Sequence, residues 1–420
     1  MRRVGARSTT ASSLQSRTRP TSSRACAMVQ PRSARPARAF ARAGRFIPLC
    51  VDLAPAVTAG ALIVAPDTAI ALRALAGVVL AACAASLAFG RSSPSSAFAR
   101  ASRTHGRGRV VWITGATQGL GEAMAMRYAE LGATVIASGR DLERCEDVAT
   151  RCRRAGASSA HAVAFDVSGT REEINEATRK AFAVANGVDV FVHCAGGSQA
   201  ASALDGDDNT GEVDRALFQL NALGAIAITK EVAKAMVNNI RSGGDSSRSS
   251  FAPTIVGVCS AASKLPAPGQ AVYAAAKSAY AAFLNSLRSE IADTGVRVTC
   301  AYPGPIATGM NGQERVVFRR DMASSSPSPG AAKKTKSHAP DTSSASKIKG
   351  RMPVDRVARD IIAAAAVGHD EIVLAPQPIM ALTYFIRFAP TLAYAILDLV
   401  GPKRARKADA GENMYILNEK

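Results

Sequence analysis

The chain has 420 residues, of which 47% are hydrophobic and 20% charged, a balance that suits one large folded domain with appendages. Its net charge is +19, but residues 1–108 carry +14 and residues 311–352 carry +6, so the rest of the chain is close to neutral. Nucleic-acid binding would need a basic stripe on the folded body, and this distribution of charge argues against it.

The eight cysteines form no CxxC pair, so the sequence predicts neither a disulfide framework nor a zinc site, and no metal is expected. This cysteine pattern suits a reducing compartment around the folded body. Cys194, Cys259 and Cys300 lie in or just after apolar runs, where we expect them to act as small buried hydrophobes.

The N-terminal part of the chain divides into three segments. Residues 1–46 are rich in Arg, Ser and Ala and contain no acid, as in an organelle transit peptide, a disordered basic tail or an over-extended gene model. Residues 47–90 are apolar, and their second half (69–90) carries only one charge, that of Arg73. We expect a membrane anchor rather than a weak, Ala-rich helix that lies in the membrane interface or packs on the protein. Residues 91–108 are predicted to be a linker.

From residue 109 onward, short β-branched runs alternate with helical stretches. The predicted strands cover 110–113, 134–137, 161–165, 188–194, 254–259, 296–301 and 371–375. The predicted helices cover 119–131, 141–155, 171–185, 212–239, 272–293 and 354–366. This alternation predicts an α/β fold, a doubly wound parallel sheet of the Rossmann type, formed by a single catalytic domain over residues 109–376.

Two segments depart from this alternation. Residues 323–349 are a low-complexity insert of Ser, Pro, Ala and Lys, which is predicted to be disordered. Residues 377–420 form an apolar C-terminal extension with a polar tail. Its apolar part is either a membrane-dipping helix pair or a hydrophobic wall over the substrate, and Pro390 argues against one straight span.

A glycine-rich motif, TGATQGLG (114–121), follows the first predicted strand and opens the first predicted helix. In this context Gly115 permits a tight turn, Gly119 lets the backbone approach a pyrophosphate, and Gly121 lets the helix pack close to the sheet. The motif therefore predicts a dinucleotide site.

The residue after the second predicted strand bears on the choice of cofactor. An acid at this place binds the 2′-hydroxyl of the adenosine ribose, whereas an arginine suits a 2′-phosphate. Here the strand leads through Gly139 to Arg140, so NADP(H) is favoured over NAD(H). The competing acid, Asp141, is expected to cap the next helix.

Tyr273 and Lys277 are four residues apart in a predicted helix and therefore share one face. An ammonium near a phenol lowers the phenol pKa from about 10 toward working pH and makes the phenol a usable general acid or base. Ser260 closes the preceding strand, and its hydroxyl can hold a substrate oxygen. Together these residues indicate interconversion of a carbonyl and an alcohol.

The order of these motifs resembles that of the short-chain dehydrogenase/reductase superfamily over about residues 109–310, and again from 354. The resemblance rests on TGATQGLG, Asp166-Val167, HCAG (193–196), Asn221, Ser260, YAAAK (273–277) and Pro303-Gly304. Residues 371–407 resemble the tail of the membrane-associated dehydrogenase/reductase member 7 group. That resemblance implies an endoplasmic reticulum membrane and lipophilic substrates such as steroids and retinoids.

The resemblance implies a role for each of four catalytic residues. Tyr273 is the proton donor and acceptor, Lys277 lowers its pKa and binds the nicotinamide ribose, Ser260 orients the carbonyl, and Asn221 holds a relay water. Cofactor contacts are implied for Tyr273 and Lys277 and for a further set, some of which also follow from the glycine motif above: Gly115, Thr117, Gln118, Gly119, Leu120, Gly121, Arg140, Asp166, Val167, Ala195, Gly196, Pro303, Gly304, Ile306 and Thr308.

Two positions depart from the family pattern. His193-Cys194 replaces the usual Asn-Asn or Asn-Cys, so the side-chain hydrogen bonds there must differ. Gln118 stands where NADP-dependent members often carry a basic residue. In addition, the insert after Met310 replaces much of the usual substrate loop, so substrate identity does not carry over.

The expected function is NADP(H)-dependent interconversion of a carbonyl and an alcohol on a lipophilic substrate in lipid metabolism. An alternative is a catalytically silent, membrane-tethered dinucleotide-binding scaffold or redox sensor, and a third is a polypeptide binder acting through the basic insert. The expected partner is a membrane, that of the plastid or of the endoplasmic reticulum, and a homodimer is compatible with the sequence.

Overall fold

The computed structural model describes residues 105–204, 210–242, 252–308, 317–318 and 350–410. The central sheet has seven parallel strands in the order β7-β6-β5-β4-β1-β2-β3. The strands are β1 (Val110–Thr114), β2 (Thr134–Gly139), β3 (Ser159–Ala164), β4 (Val190–His193), β5 (Thr254–Val258), β6 (Arg297–Pro303) and β7 (Glu371–Leu374).

Helices cover both faces of this sheet, as the alternating pattern predicts. They are α1 (Gly119–Glu130), α2 (Leu142–Arg154), α3 (Arg171–Ala183), α4 (Thr210–Phe218), α5 (Gly224–Arg241), α6 (Ala271–Glu290), α7 (Val354–Val367), α8 (Ile379–Phe388) and α9 (Pro390–Asp409). The doubly wound Rossmann fold is therefore confirmed.

The side chains of β1 show how the core divides into two layers, because successive residues of a strand point to opposite faces. Val111 and Ile113 belong to the apolar cluster formed with α1, α2 and α7. Val110 and Trp112 belong to the cluster formed with α3, α5 and α6. All four side chains are at most 2% exposed, so the strand is buried on both sides.

The strand order reverses next to β1, which has β2 on one side and β4 on the other. In open α/β sheets a crevice forms outside the carboxyl ends of the strands at such a point. In the register of the sheet, Thr114 of β1 pairs with His193 of β4, and His193 pairs with Gly257 of β5. The segments that follow β1, β4 and β5 therefore emerge side by side at one edge.

The predicted helix over 212–239 is interrupted in the structure. A π-helical turn, Gln219–Leu223, lies between α4 and α5. Within it, the Asn221 side chain donates from Nδ2 to the backbone carbonyl of Leu217 at 3.2 Å, which competes with regular helical pairing. The apolar spacing of the sequence continues through the turn, so the interruption left no signal in the periodicity.

The C-terminal extension forms two helices, α8 and α9, which are separated at Ala389 just before Pro390. The prediction that Pro390 prevents one straight span is therefore correct. Among the helices of the described ranges, none combines the length and apolar character needed to cross a membrane. The predicted leader (1–46), anchor (47–90), most of the linker and the 323–349 insert lie outside the described residues.

Candidate active site

A cavity of about 360 Å³ opens at the carboxyl edge of the sheet, a volume within the usual range for small-molecule sites. Its wall contains every residue predicted above to contact the cofactor, from Gly115 to Thr308, together with Ser260, Tyr273 and Lys277. Residues far apart in the sequence are therefore brought to one place.

The glycine turn after β1 forms the floor of this cavity. Gly115 has a φ of +68°, and a Cβ there would lie 2.7 Å from Cα of Ala195. Both the left-handed backbone and the close approach require glycine. Gln118 makes no capping hydrogen bond at the start of α1, and Gly119, Leu120 and Gly121 line the cavity. The free N-terminal end of α1 fits an anionic pyrophosphate.

Two arginines lie at the adenosine end predicted for this cavity. Arg140 is part of the cavity wall. The prediction that Asp141 caps the next helix is confirmed, since its Oδ1 accepts from the N–H of Arg144 at 3.2 Å. The Arg144 guanidinium lies 3.3 Å from the carbonyl oxygen of Thr117 and 3.5 Å from Oε1 of Gln118. Arg144 is a basic group at the glycine turn that the sequence analysis missed.

The segment after β3 supplies the next part of the wall. Asp166 and Val167 both line the cavity, where adenine contacts were predicted for them. Oδ1 of Asp166 accepts from the N–H of Ser168 at 2.7 Å. This local bond fixes the carboxylate beside the strand end.

Lys277 is 4% exposed and donates from Nζ to the carbonyl of Val258 at 3.1 Å. Burial lowers the pKa of its ammonium group. Gly196 passes directly in front of it, because a Cβ at Gly196 would lie 3.0 Å from Nζ of Lys277 and 2.7 Å from Oδ1 of Asn221. A side chain at position 196 would therefore displace the lysine or the asparagine.

Asn221 does not lie in the cavity wall, in contrast to the other predicted catalytic residues. It is fully buried behind Gly196 and Gly197. Its Oδ1 accepts from the N–H of Gly197 at 3.2 Å, and its Nδ2 donates to the carbonyl of Gly197 at 3.0 Å. The position of Asn221 allows it to hold this loop in place, and its role with a relay water stays a prediction.

Ser260 and Tyr273 complete the reactive end of the cavity. The Oγ of Ser260 accepts from the N–H of Ala262 at 3.1 Å, so its own hydrogen is directed elsewhere and can be donated to a substrate oxygen. Tyr273 lies in the first turn of α6 and is partly exposed in the same wall. A hydroxyl donor, a phenol and a buried ammonium thus border one space.

Comparison with known proteins agrees with this geometry. Residues 109–316 match the family model for short chain dehydrogenase. Dehydrogenase/reductase SDR family member 7B of Bos taurus is 30% identical over 311 residues, covering 73% of this chain and 84% of the relative. Member 7 of Homo sapiens is 29% identical over 305 residues, covering 72% and 80%. The chain belongs to the short-chain dehydrogenase/reductase family.

A solved structure supports the same family fold. A short chain dehydrogenase from Burkholderia cenocepacia J2315, crystallised in complex with NADP, superposes with a TM-score of 0.50. It is 21% identical, and the alignment covers 69% of this chain and 98% of that one. At this identity the likeness concerns the fold.

At His193, where the family usually has asparagine, a different set of hydrogen bonds is present. Nδ1 of His193 lies 2.9 Å from Oγ1 of Thr114, which also accepts from the N–H groups of Cys194 and Ala195 at 3.3 and 3.4 Å. Burial, together with the charge of Lys277, lowers the pKa of His193 to about 3, so the ring is neutral. The threonine hydroxyl and a neutral imidazole therefore join the ends of β1 and β4.

Cys194 differs from its predicted burial. Cys259 and Cys300 are buried as predicted, whereas Cys194 is partly exposed and lies in the cavity wall. Its position directly after β4, at the strand edge where the cavity opens, explains the difference.

The site of this short-chain dehydrogenase/reductase also includes residues that the motifs did not indicate. Ile379 of α8 and Arg404 of α9 lie in the cavity wall, so the C-terminal extension reaches the site. Gln270 and Leu265, from the segment before α6, line it as well. The apolar character of the extension was a sequence signal for Ile379, whereas Arg404, Gln270 and Leu265 had none.

We expect His193→Asn to reduce the acid sensitivity of folding. The folded-state pKa of His193 is about 3, below its ordinary 6.5. The unfolded chain therefore binds more protons between these values, and stability falls as the pH drops through this window. The unfolding free energy should therefore change less steeply with pH once the imidazole is removed, by up to about 1.4 kcal/mol per pH unit. Urea unfolding at a series of pH values between about 3 and 6.5 measures this change in slope.

His161→Asn is the matched control, because His161 is exposed on β3. Its slope should equal that of the unaltered protein. An unchanged slope in His193→Asn would show that His193 is not held neutral by burial.

Proposed function

We propose that this protein is an NADP(H)-dependent oxidoreductase that interconverts a carbonyl and an alcohol on a lipophilic substrate. The observation that carries the proposal is the presence of Ser260, Tyr273 and Lys277 in one cavity wall with the glycine turn at the start of α1. A scaffold that only bound nucleotide would have no use for the hydroxyl of Ser260 beside the phenol of Tyr273.

Each of these side chains has a separate task in the proposed reaction. A nicotinamide dinucleotide supplies or accepts the hydride when it is bound. Ser260 donates a hydrogen bond to the substrate oxygen and stabilises charge there. Tyr273 gives a proton to that oxygen in reduction and removes it in oxidation. Lys277, one helical turn from Tyr273, favours the phenolate, and its burial limits solvent screening of its charge.

We expect Tyr273→Phe to reduce kcat about 100- to 10,000-fold, because the general acid is removed while the cavity keeps its shape. The dissociation constant for NADPH should remain within about threefold. The assay is NADPH oxidation with a panel of lipophilic ketones, beside NADPH titration by fluorescence.

Tyr394→Phe is the matched control, because Tyr394 is exposed on α9 and is not part of the cavity wall. Undiminished turnover in Tyr273→Phe would refute the mechanism. NADPH binding by the unaltered protein without turnover of any ketone in the panel would favour the silent scaffold.

The preference for NADP(H) rests on the two arginines beside the glycine turn. Arg140 is in the cavity wall, and the guanidinium of Arg144 contacts the Gln118 side chain. Gln118 is uncharged, and the guanidinium of Arg144 beside it supplies positive charge at this position. Two guanidinium groups suit a 2′-phosphate, which accepts charge-assisted hydrogen bonds.

Arg140→Ser and Arg144→Ser should each weaken NADPH binding about tenfold or more and leave NADH binding within about twofold, because only NADPH carries the 2′-phosphate. Titration of each variant with both cofactors measures this. Arg154→Ser, on the exposed end of α2, is the control and should bind both as before. Equal losses for NADPH and NADH would mean that the arginines do not select the phosphate.

The lipophilic character of the substrate is supported by the apolar part of the cavity wall. Leu265, Pro266, Ala267 and Ile379 line it. Apolar walls of this kind bind hydrocarbon by removing it from water.

We also propose that the outer face of α9 lies on a membrane with anionic headgroups. Leu392, Ile396 and Leu399 share one face of this helix and are 56%, 42% and 83% exposed. Basic residues follow on the same helix at Lys403, Arg406 and Lys407. Exposed apolar side chains beside basic ones are typical of helices that lie in the plane of the interface. The organelle is predicted to be the plastid or the endoplasmic reticulum.

Hydrogen exchange of the intact protein tests this membrane contact. Vesicles of phosphatidylcholine and phosphatidylserine should slow amide exchange about threefold or more in the first half of α9, because the helix becomes shielded from water. Exchange in α2 should not change. Equal rates in α9 with and without vesicles would contradict the contact.

A further inference from the structure

A short 3₁₀ helix follows β5 and carries Ser260 at its start. The helix covers Ala261–Ser263, with Ser260 as its N-cap and Lys264 as its C-cap. The carbonyl of Ser260 accepts from the N–H of Ser263 at 2.9 Å. The carbonyl of Ala261 accepts from the N–H of Lys264 at 3.0 Å. The backbone of the serine is therefore connected to that of Lys264 through one turn of hydrogen bonds, which we call the serine turn (260–264).

The side chain of Lys264 joins the far end of the serine turn to the sheet. Its Nζ donates to Oε2 of Glu371 at 2.8 Å, and Glu371 is the first residue of β7. The same Nζ lies 4.1 Å from the centroid of the Tyr302 ring on β6. A cation over the face of an aromatic ring is attracted by the electrons of the ring. Two strands of the sheet thus hold one ammonium group.

The ammonium group of Lys264 is shielded from water more than those of surface ion pairs. The Lys264 side chain is 11% exposed, and Tyr302 beneath it is buried, while Glu371 is partly exposed. In the ion pair of Lys234 with Glu231 on α5, the lysine is 57% exposed. Because low exposure reduces the screening of charge by solvent, the contacts of Lys264 hold its position more strongly than a surface pair would.

The two strands that hold Lys264 also lead into the cavity wall. Tyr302 is followed directly by Pro303 and Gly304, which line the cavity. The N–H of Gly304 donates to the carbonyl of Leu374, at the end of β7, at 2.7 Å. Lys264 itself is not part of the wall. It therefore connects the serine turn to the elements that carry another part of the wall, without lining the cavity.

We propose that Lys264 is a positioning residue: its anchorage to β6 and β7 keeps the hydroxyl of Ser260 in place for the substrate oxygen. The inference rests on the proposed function and adds a residue that acts on the reaction through the serine. A hydrogen-bond donor stabilises developing charge well only when its support holds it within about 0.5 Å of the productive geometry. The anchored end of the serine turn supplies such support.

Combination of Lys264→Met with Ser260→Ala tests this indirect role, with the ketone of the panel that the unaltered protein reduces fastest. Ser260→Ala alone should lower kcat about 100-fold, because one donor to the substrate oxygen is lost. Lys264→Met should lower kcat about tenfold when Ser260 is present and less than about twofold in Ser260→Ala. KM for NADPH should stay within about twofold in each variant. Equal losses in both backgrounds would show a general structural role and overturn the inference.

Three further variants complete the design. Lys264→Arg keeps the charge and should recover most of the lost kcat. Glu371→Gln removes only the charge of the partner and should lower kcat about threefold, again only when Ser260 is present. Lys234→Met is the matched control, because it breaks an ion pair of 2.9 Å between Nζ and Oε1 of Glu231 on α5. It should leave kcat within about twofold in both backgrounds.

Amide hydrogen exchange gives a readout without turnover. Lys264→Met should speed exchange of the N–H groups of Ser263 and Leu265, which donate within and just after the serine turn, about tenfold or more, because the turn opens more often. Unchanged exchange would show that Lys264 does not hold the turn and would overturn the inference. No reduction of any ketone by the unaltered protein, with faster exchange in Lys264→Met, would remove the proposed function and keep the anchorage of the turn.

Discussion

The close approach of backbone segments at the carboxyl edge of the sheet is the constraint on which the site depends. Parallel strands end at the same edge, so the loops after β1, β4 and β5 emerge side by side, and those after β1 and β4 approach each other closely at Gly115 and Ala195. A side chain at Gly115 would collide with Ala195, and one at Gly196 would collide with Asn221 and Lys277. The glycines keep the cavity open because they leave room for backbone where other residues would fill it.

Polar side chains behind the wall stabilise these loops. The Asn221 side chain hydrogen-bonds to both the N–H and the carbonyl of Gly197. The hydroxyl of Thr114 accepts hydrogen bonds from the N–H groups of the two residues after β4. The neutral ring of His193 lies within hydrogen-bond distance of the same Thr114 hydroxyl. Buried polar groups stabilise a fold only when their partners are in place, and these bonds fix the loops that pass in front of Lys277. Lys277 itself is held by its bond to the carbonyl of Val258.

Local patterns in the sequence were sufficient to predict the sheet, its helices and about half of the cavity wall. Alternating runs indicate strands and helices, and the glycine turn and YAAAK keep their spacing wherever the chain folds. The π-helical turn left no trace because the apolar spacing runs through it. Arg144, Gln270 and Arg404 were missed because their contacts join positions far apart in the chain, which no single-sequence pattern records. The position of Asn221 behind the wall required the packing of the loop to be known.

Transfer of deuterium to a lipophilic ketone from NADPH that carries deuterium at both C4 positions of the nicotinamide tests the central claim most directly. The proposed function requires hydride to pass to a carbonyl carbon in the cavity that the glycine turn, Ser260 and Tyr273 border. Mass spectrometry of the product should find the label on the carbinol carbon of the alcohol. Oxidation of the cofactor without label in the alcohol, or no alcohol at all, would contradict the account.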